Sequence, residues 1–440
     1  MRSRLTVTLG HAARLAARLR GGGSGGTAFP GLVMERTDPG FLARTLNRLP
    51  RGVIVVSGTN GKTTTTKMVV QLLREQGLKV FTNRTGSNFV RGVLASLLTE
   101  VDAAGRLDAD IAVLELDEAH AVHFVARVRP RACLLLNVMR DQLDRFGEID
   151  YTASLLHSIA KATSDVVVLN GDDPRLAAPA FLEGVTARVV SFGAGEELRS
   201  LFLSDDDLRT GLASPRDRGE TPGPRVTLEA INGQRATVRV DGASHEVSFA
   251  IPGVHNLLNA CAALGVVLEV LGEDADLPGL LATLGNVQAA FGRGEVLTLD
   301  GRPVQLSLVK NPAGFRMGLL SAAAQAQAGE VVVVAINDEY ADGRDMSWLW
   351  DVDFAALRSG GVAVVTGVRA WDMALRLRYD EVPIGTVEPD LTRAVALLRR
   401  AASAADDGAG RPMRIFTTYT AMLALRAHLA ELTDVEEALT

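Results

Sequence analysis

The stretch Val53-Ile-Val-Val-Ser-Gly-Thr-Asn-Gly-Lys-Thr-Thr-Thr65 decides how this chain is read. Four β-branched residues, Val53 to Val56, predict a strand buried on both faces. Gly58 and Gly61 shape a turn, and Lys62-Thr63-Thr64 open a helix. Glycines let backbone N–H groups close around phosphate oxygens, and a helix start presents its positive dipole end to them. The expected ligand is ATP with Mg²⁺: Gly58, Thr59, Asn60, Gly61, Lys62, Thr63 and Thr64 cradle the phosphates, Lys62 neutralises them, and Thr63 ligates the metal through its hydroxyl. The common phosphate loop has a glycine six residues before its lysine. Here that position is Val56, so the loop is the shorter Gly-Thr-Asn-Gly-Lys-Thr.

At 440 residues the chain exceeds what one core serves comfortably, which predicts two or three domains. A composition of 47% hydrophobic and 22% charged residues suits a globular protein. A net charge of −6 with no basic block for tracking phosphates argues against nucleic acid as a partner. No apolar run is read as long enough to span a membrane. Arg2 to Arg20 reads as an arginine-bearing amphipathic helix that lacks the apolar centre and cleavage site of a secretory signal. Packing on the next domain is favoured for it over membrane contact. Lysine is scarce, occurring only at 62, 67, 79, 161 and 310, which makes each one of interest. Cys133 and Cys261 sit in apolar runs and read as core residues, with no disulfide or thiolate metal site expected and a reducing, cytoplasmic setting implied.

An α/β protein is expected. After an N-terminal helical and Gly-rich segment (1–50, with the joint Gly21 to Gly26), strands at Ile54–Val56, Ile111–Leu114, Cys133–Leu136 and Val166–Leu169 alternate with helices. That pattern predicts a central, doubly wound P-loop domain over 51–295, with ligands at the carboxyl ends of its strands. Residues 193–242 read as a β-ribbon excursion, loop-rich at first and then alternating, as in Arg235–Val240. From 296 to 440 a C-terminal Rossmann-like α/β domain without a dinucleotide fingerprint is expected, with strands near Val304–Val309, Val331–Ile336, Val362–Val365 and Arg414–Thr417.

Several strand ends carry polar residues. Glu115 closes a buried strand and is the first choice to share Mg²⁺ with Thr63, with Asp117 or Glu118 next. The run Leu136 to Gly147 begins where the next strand ends, facing the same crevice; its Asp141 and Asp144 either orient substrate or a second cation or belong to a simple turn. Asn170-Gly-Asp-Asp-Pro174 reads as a turn. Gly253-Val-His-Asn-Leu-Leu-Asn259 opens a helix on which Asn256 either caps or reads an adenine edge. Arg293, glycine-flanked at a domain joint, can swing onto phosphates when domains close.

Taken in order, these motifs resemble the Mur ligase superfamily over about residues 51 to 295. The resemblance implies that Asn256 reads adenine, Arg293 touches the ATP phosphates and Glu115 helps hold magnesium. Two further stretches, Asn83-Arg-Thr-Gly-Ser-Asn-Phe89 and Asn337-Asp-Glu-Tyr-Ala-Asp-Gly-Arg-Asp-Met-Ser-Trp-Leu-Trp-Asp351, are similar to the MurT family, synthetase subunits of lipid II isoglutaminyl synthases. The two indoles of the second stretch are expected to anchor its loop to the core.

That likeness implies a ligase working at the inner face of the membrane. Lipid II is the substrate, and the α-carboxylate of D-glutamate in its stem peptide is amidated to D-isoglutamine through an acyl phosphate. A glutamine amidotransferase of the GatD type, as the heterodimer partner, supplies the ammonia. Asp351, with Asp345 second, would complete the partner's catalytic triad. Two departures stand out. Leu198 to Gly233 holds no cysteine, so the zinc ribbon of some relatives is not expected; and Leu155 lies where amino-acid-adding relatives carry a carbamylated lysine. The alternative is a stand-alone amino-acid-adding Mur ligase or a folylpolyglutamate-synthase-like ligase.

Overall fold

A computed structural model describes residues 2–19, 28–83, 87–141, 149–204, 207, 222–288, 293–324, 329–403 and 411–432, apart from the side chains of 18, 28, 293–295 and 324. The described residues form two sheets. The first has nine strands in the order β2-β3-β1-β4-β5-β6-β7-β8-β9. Its first six strands in chain order, all parallel, are β1 (Val53–Ser57), β2 (Val80–Thr82), β3 (Ile111–Glu115), β4 (Ala132–Leu135), β5 (Val166–Asn170) and β6 (Arg188–Ala194). The β-branched runs place these strands because alternate side chains feed two separate cores. Ile54 and Val56 pack on one face with the helices Lys62–Glu75 and Val254–Leu271. Val53 and Val55 pack on the other with the helices Val90–Glu100 and Ile149–Ala162. The doubly wound reading is therefore met, with β1 between β3 and β4, where the strand order reverses, and the phosphate loop at its carboxyl end.

The ribbon is not a separate excursion. Strand β7 (Pro224–Asn232) pairs in parallel with β6, and β8 (Arg235–Val240) and β9 (Ala243–Ser248) add antiparallel strands to the same sheet. The expected limits of 193–242 stop short of β9. Ala243-Ser-His-Glu-Val-Ser248 has little strand propensity of its own and is extended because β8 pairs with it. The N-terminal helices Arg2–Leu19, Ala28–Thr37 and Phe41–Leu46 share the core behind β1, with Val7, Met34, Phe41 and Leu46 all buried. The Gly21–Gly26 joint lies outside the described residues.

The second sheet runs β10-β11-β15-β12-β13-β14. It comprises β10 (Arg293–Leu299), β11 (Arg302–Leu308), β12 (Val331–Ala335), β13 (Val362–Thr366), β14 (Ile384–Val387) and β15 (Met413–Thr417). All neighbours are parallel except β10, which pairs antiparallel with β11. The boundary expected at 295/296 thus cuts through β10, whose partners all belong to the C-terminal sheet. One sequence expectation is corrected: an apolar stretch of spanning length does exist. Val254–Asp274 is long and apolar enough to cross a membrane, but 78% of that window is buried, because its helix lies against β4 to β7 as the spine of the first core. Both cysteines are free and buried, and burial pushes each thiol up to about 12.

Candidate functional site

The phosphate loop leaves β1 with Gly58 at φ +131° and Gly61 at φ +87°. A Cβ on Gly61 would stand 2.7 Å from Asn259 Oδ1, so backbone conformation and space both demand glycine there. The loop is braced from the end of β4. Asn137 Oδ1 accepts from Asn60 N at 2.9 Å, Asn137 Nδ2 donates to Asn60 O at 3.1 Å, and Thr59 N donates to Asn137 O at 3.0 Å. Lys62 is buried; its Nζ donates to Gly58 O at 2.5 Å and pairs with Glu118 Oε2 at 3.2 Å. Burial alone would lower its pKa, but the carboxylates of Glu118, Asp117, Asp141 and Glu115 outweigh that and raise it, so the ammonium stays charged.

Thr63 Oγ1 donates to Glu115 Oε1 at 2.8 Å, which brings together the hydroxyl and carboxylate expected to share magnesium. A hydroxyl, a carboxylate and nearby phosphate oxygens are the hard donors that Mg²⁺ prefers, so the residues fit the ion. Among the described residues no cluster of three His, Cys, Asp or Glu could hold a metal by itself. Glu115 is itself fixed by Asn83, whose Oδ1 accepts from Glu115 N and whose Nδ2 donates to Glu115 O, both at 2.9 Å. Glu118, an alternative for the metal, is spent on Lys62.

The turn at Asn170 does more than reverse the chain. Asp173 accepts from Val138 N at 2.6 Å, and Asp172 accepts from Ala194 N at 2.6 Å, so adjacent acids tie the ends of β4, β5 and β6 together. Burial pushes the Asp173 carboxyl up to about 6 against the pull of its backbone N–H donors. Across the crevice, Asn256 is buried at the start of its helix and donates from Nδ2 to Pro252 O at 2.6 Å. With Asn60, Gly61 and Asn137 it lines a cavity of ≈ 190 Å³ whose far wall comes from the C-terminal domain, including Lys310 and Ser321. That wall reaches the phosphate loop directly. Lys310 Nζ donates to Asp141 Oδ2 at 2.8 Å and to Thr59 O at 3.1 Å, and Asn311 Nδ2 donates to Asn60 Oδ1 at 3.1 Å. Burial would raise the Asp141 pKa, but Lys310, with Lys62 and Asn311, lowers it, so the carboxylate stays ionised.

Asn83, Asn137, Lys310 and Asn311 therefore belong to the site, although the sequence reading assigned none of them a role. The scarcity of lysine was the signal for Lys310, and an asparagine just past a strand end the signal for Asn83 and Asn137. The Arg293 side chain and Asp144 lie outside the described residues. Leu155 is buried within its helix.

The Trp-rich stretch ends in a short 3₁₀ turn, Ser347–Asp351. Trp348 is buried against Phe315, but Trp350 is half-exposed, which corrects the expectation that both indoles anchor the loop. With three residues per turn, positions two apart cannot share a face. Trp350 rests edge-on against Tyr379, and the Arg376 guanidinium lies 5.4 Å from its ring centre while donating to Leu349 O and Val352 O. Asp345 Oδ1 accepts from Ser347 N and serves the turn. The Asp351 side chain is 47% exposed and pairs with Arg140 of the central domain at 3.0 Å. Beside it, Trp371, Leu375 and Tyr379 form an exposed apolar stripe along the helix Ala370–Tyr379.

Residues 56–267 match the Mur ligase middle domain, and residues 308–422 match the MurT ligase C-terminal domain. The chain belongs to the MurT family of Mur ligases. A chain of this family is a ligase that forms carbon–nitrogen bonds. Among curated relatives, the lipid II isoglutaminyl synthase (glutamine-hydrolyzing) subunit MurT of Streptococcus pneumoniae strain R6 is 29% identical over 428 residues, 92% of each chain. Among solved structures, MurF from Acinetobacter baumannii superposes with a TM-score of 0.68 at 18% identity, covering 92% of this chain and 80% of that one. MurF from Thermotoga maritima in complex with ADP gives 0.65 at 18% identity, covering 91% and 84%. These likenesses show the fold.

Proposed function

We propose that this chain is the ATP-dependent synthetase subunit that amidates the α-carboxylate of D-glutamate in the lipid II stem peptide, with ammonia from a GatD-type glutamine amidotransferase. A carboxylate cannot be amidated directly because hydroxide is a poor leaving group. Transfer of the γ-phosphoryl group of ATP makes an acyl phosphate, ammonia attacks the carbonyl, and inorganic phosphate leaves as the amide forms. The protein's task is charge neutralisation and in-line positioning. Lys62 holds a charged ammonium over the loop, Gly58 to Thr64 cradle the phosphates, Asn256 faces the base, and Arg293 is the residue to which the family resemblance gives a phosphate contact. Thr63 and Glu115 would hold magnesium, which supplies further neutralisation of the phosphate charge.

The observation that carries the partner reading is Asp351, a half-exposed carboxylate paired with Arg140 on a short turn beside the half-exposed Trp350 and near the exposed Trp371 and Tyr379. An aromatic stripe of this kind suits a protein interface, and Asp351 at its edge could orient a histidine of the amidotransferase in the productive tautomer. The site is proposed to work in the cytoplasm against the inner membrane face. The test supplies the purified chain with Mg-ATP, lipid II and ammonium chloride, then reads the stem peptide by mass spectrometry. An acid-to-amide mass shift that Lys62→Ala abolishes supports the reading. ATP hydrolysis only when a free amino acid is added would favour the stand-alone ligase.

A further inference from the structure

Helix Arg2–Leu19 uses one face inside the protein. Thr6, Val7, Gly10 and Ala13 are buried against the helices Ala28–Thr37 and Val90–Glu100. At about 100° per residue, Leu5, Ala12, Leu15 and Leu19 fall within about 80° of one another on the opposite face. They point into solvent, with Leu5 61%, Leu15 60% and Leu19 80% exposed. A helix packed on a globular core ordinarily turns a polar face outward. This one has apolar residues along the middle of its outer face, interrupted by Thr8, whose hydroxyl donates to Arg4 O within the helix.

Charge is an independent observation. Between Met1 and Arg20 the sequence has five arginines and neither Asp nor Glu, in a chain whose net charge is −6. Arg4 is exposed at the edge of the leucine row, and Arg2, 71% exposed at its side chain, lies 3.6 Å from Asp38. An apolar stripe edged by cations matches the depth profile of an anionic bilayer, with acyl chains below and headgroup phosphates above.

We propose that this face of helix Arg2–Leu19 docks the enzyme on an anionic lipid bilayer, its leucines entering the headgroup–acyl boundary and its arginines meeting headgroup phosphates. The proposal deepens the reading above, in which the substrate is itself a membrane lipid. Docking would exchange a three-dimensional search for a two-dimensional one and would leave the phosphate loop and the Asp351 surface untouched.

The test sediments the full-length chain with vesicles of phosphatidylcholine alone and of phosphatidylcholine mixed with phosphatidylglycerol. Binding to the anionic vesicles, weakened by salt, is expected. The triple variant Leu5→Ser/Leu15→Ser/Leu19→Ser should lower the bound fraction about ten-fold or more at an unchanged melting temperature. Arg4→Glu, which leaves the leucines in place, should weaken it less and reduce the salt effect. With ammonium as nitrogen source, the triple variant should lose amidation of lipid II in anionic vesicles and keep it in detergent micelles. If the wild-type chain amidates lipid II in neither format while vesicle binding holds, the functional reading fails and the docking stands. Failure to pellet, or pelleting that ignores both phosphatidylglycerol and the leucines, overturns the docking. So does a wild-type dimer that the triple variant converts to monomer without any vesicle binding, which would assign the face to a second copy.

Discussion

Asn83→Ala tests whether the metal pair depends on a residue that touches neither metal nor nucleotide. The Asn83 amide accepts from Glu115 N and donates to Glu115 O and to Ser87 O, all at 2.9 Å and all buried. At about 1 kcal/mol each, losing three hydrogen bonds should cost about 3 kcal/mol of stability. The larger consequence is positional. Without the clamp the last residue of β3 loses its fixed direction, and the Glu115 carboxylate drifts from its 2.8 Å contact with Thr63. Groups that orient a metal ligand typically contribute about 10- to 100-fold in metal affinity. The assay titrates Mg²⁺ into the chain held at saturating non-hydrolysable ATP analogue and follows heat, with urea unfolding run in parallel. The expected result is a magnesium midpoint raised by about ten-fold or more, and, in a separate turnover assay with ATP, activity recovered at high magnesium. Asn83→Asp should be worse than alanine, because it turns a buried carboxylate toward two carbonyl oxygens. An Asn83→Ala chain that keeps the wild-type magnesium midpoint, while Glu115→Gln shifts it, would refute the reasoning.

Lys62→Ala should abolish ATP turnover and also destabilise the fold by about 3–5 kcal/mol, because it strands the buried Glu118 carboxylate; adding Glu118→Gln should restore thermal stability without restoring turnover. Asp351→Asn should leave ammonium-driven amidation intact and remove the glutamine-driven reaction measured with the partner present; equal loss of both would refute the triad role. For Asp173, burial raises the folded-state pKa from 3.8 to about 6. Between those values the unfolded chain has released the proton that the folded chain still holds, so this group's contribution to stability falls as pH rises through the window. Asp173→Asn should flatten that part of the stability–pH curve, measured by urea unfolding at fixed ionic strength.

The elements that were legible in the sequence carry their own local signal. Val53 to Val56, Val331 to Ile336 and Arg414 to Thr417 read as β-rich runs, and strands stand there at Val53–Ser57, Val331–Ala335 and Met413–Thr417. The pairing of Thr63 with Glu115 was legible because the helix that carries Thr63 starts just past the end of β1, and Glu115 ends the neighbouring strand β3 on the same crevice side. What was misjudged is what depends on a partner. Strand β9 exists because β8 pairs with it, the apolar Val254–Asp274 stretch is soaked up by a nine-stranded sheet, and Trp350 faces outward because a 3₁₀ turn sends it there.

By itself the sequence determined that a buried strand ends in a phosphate-binding loop, since glycine spacing and a helix-starting lysine act through backbone geometry within a dozen residues. It likewise determined that acids crowd the neighbouring strand ends, and that Arg2 to Leu19 is a basic helix. Only the tertiary structure decided the partner of each acid: Glu115 meets Thr63, Glu118 neutralises Lys62, and Asp141 is held by a lysine 169 residues away. It also decided which face of the basic helix is left over. Both outcomes depend on contacts between segments far apart in the chain, where long-range packing rather than local conformational preference sets the partner of each charge and the neighbour of each apolar side chain.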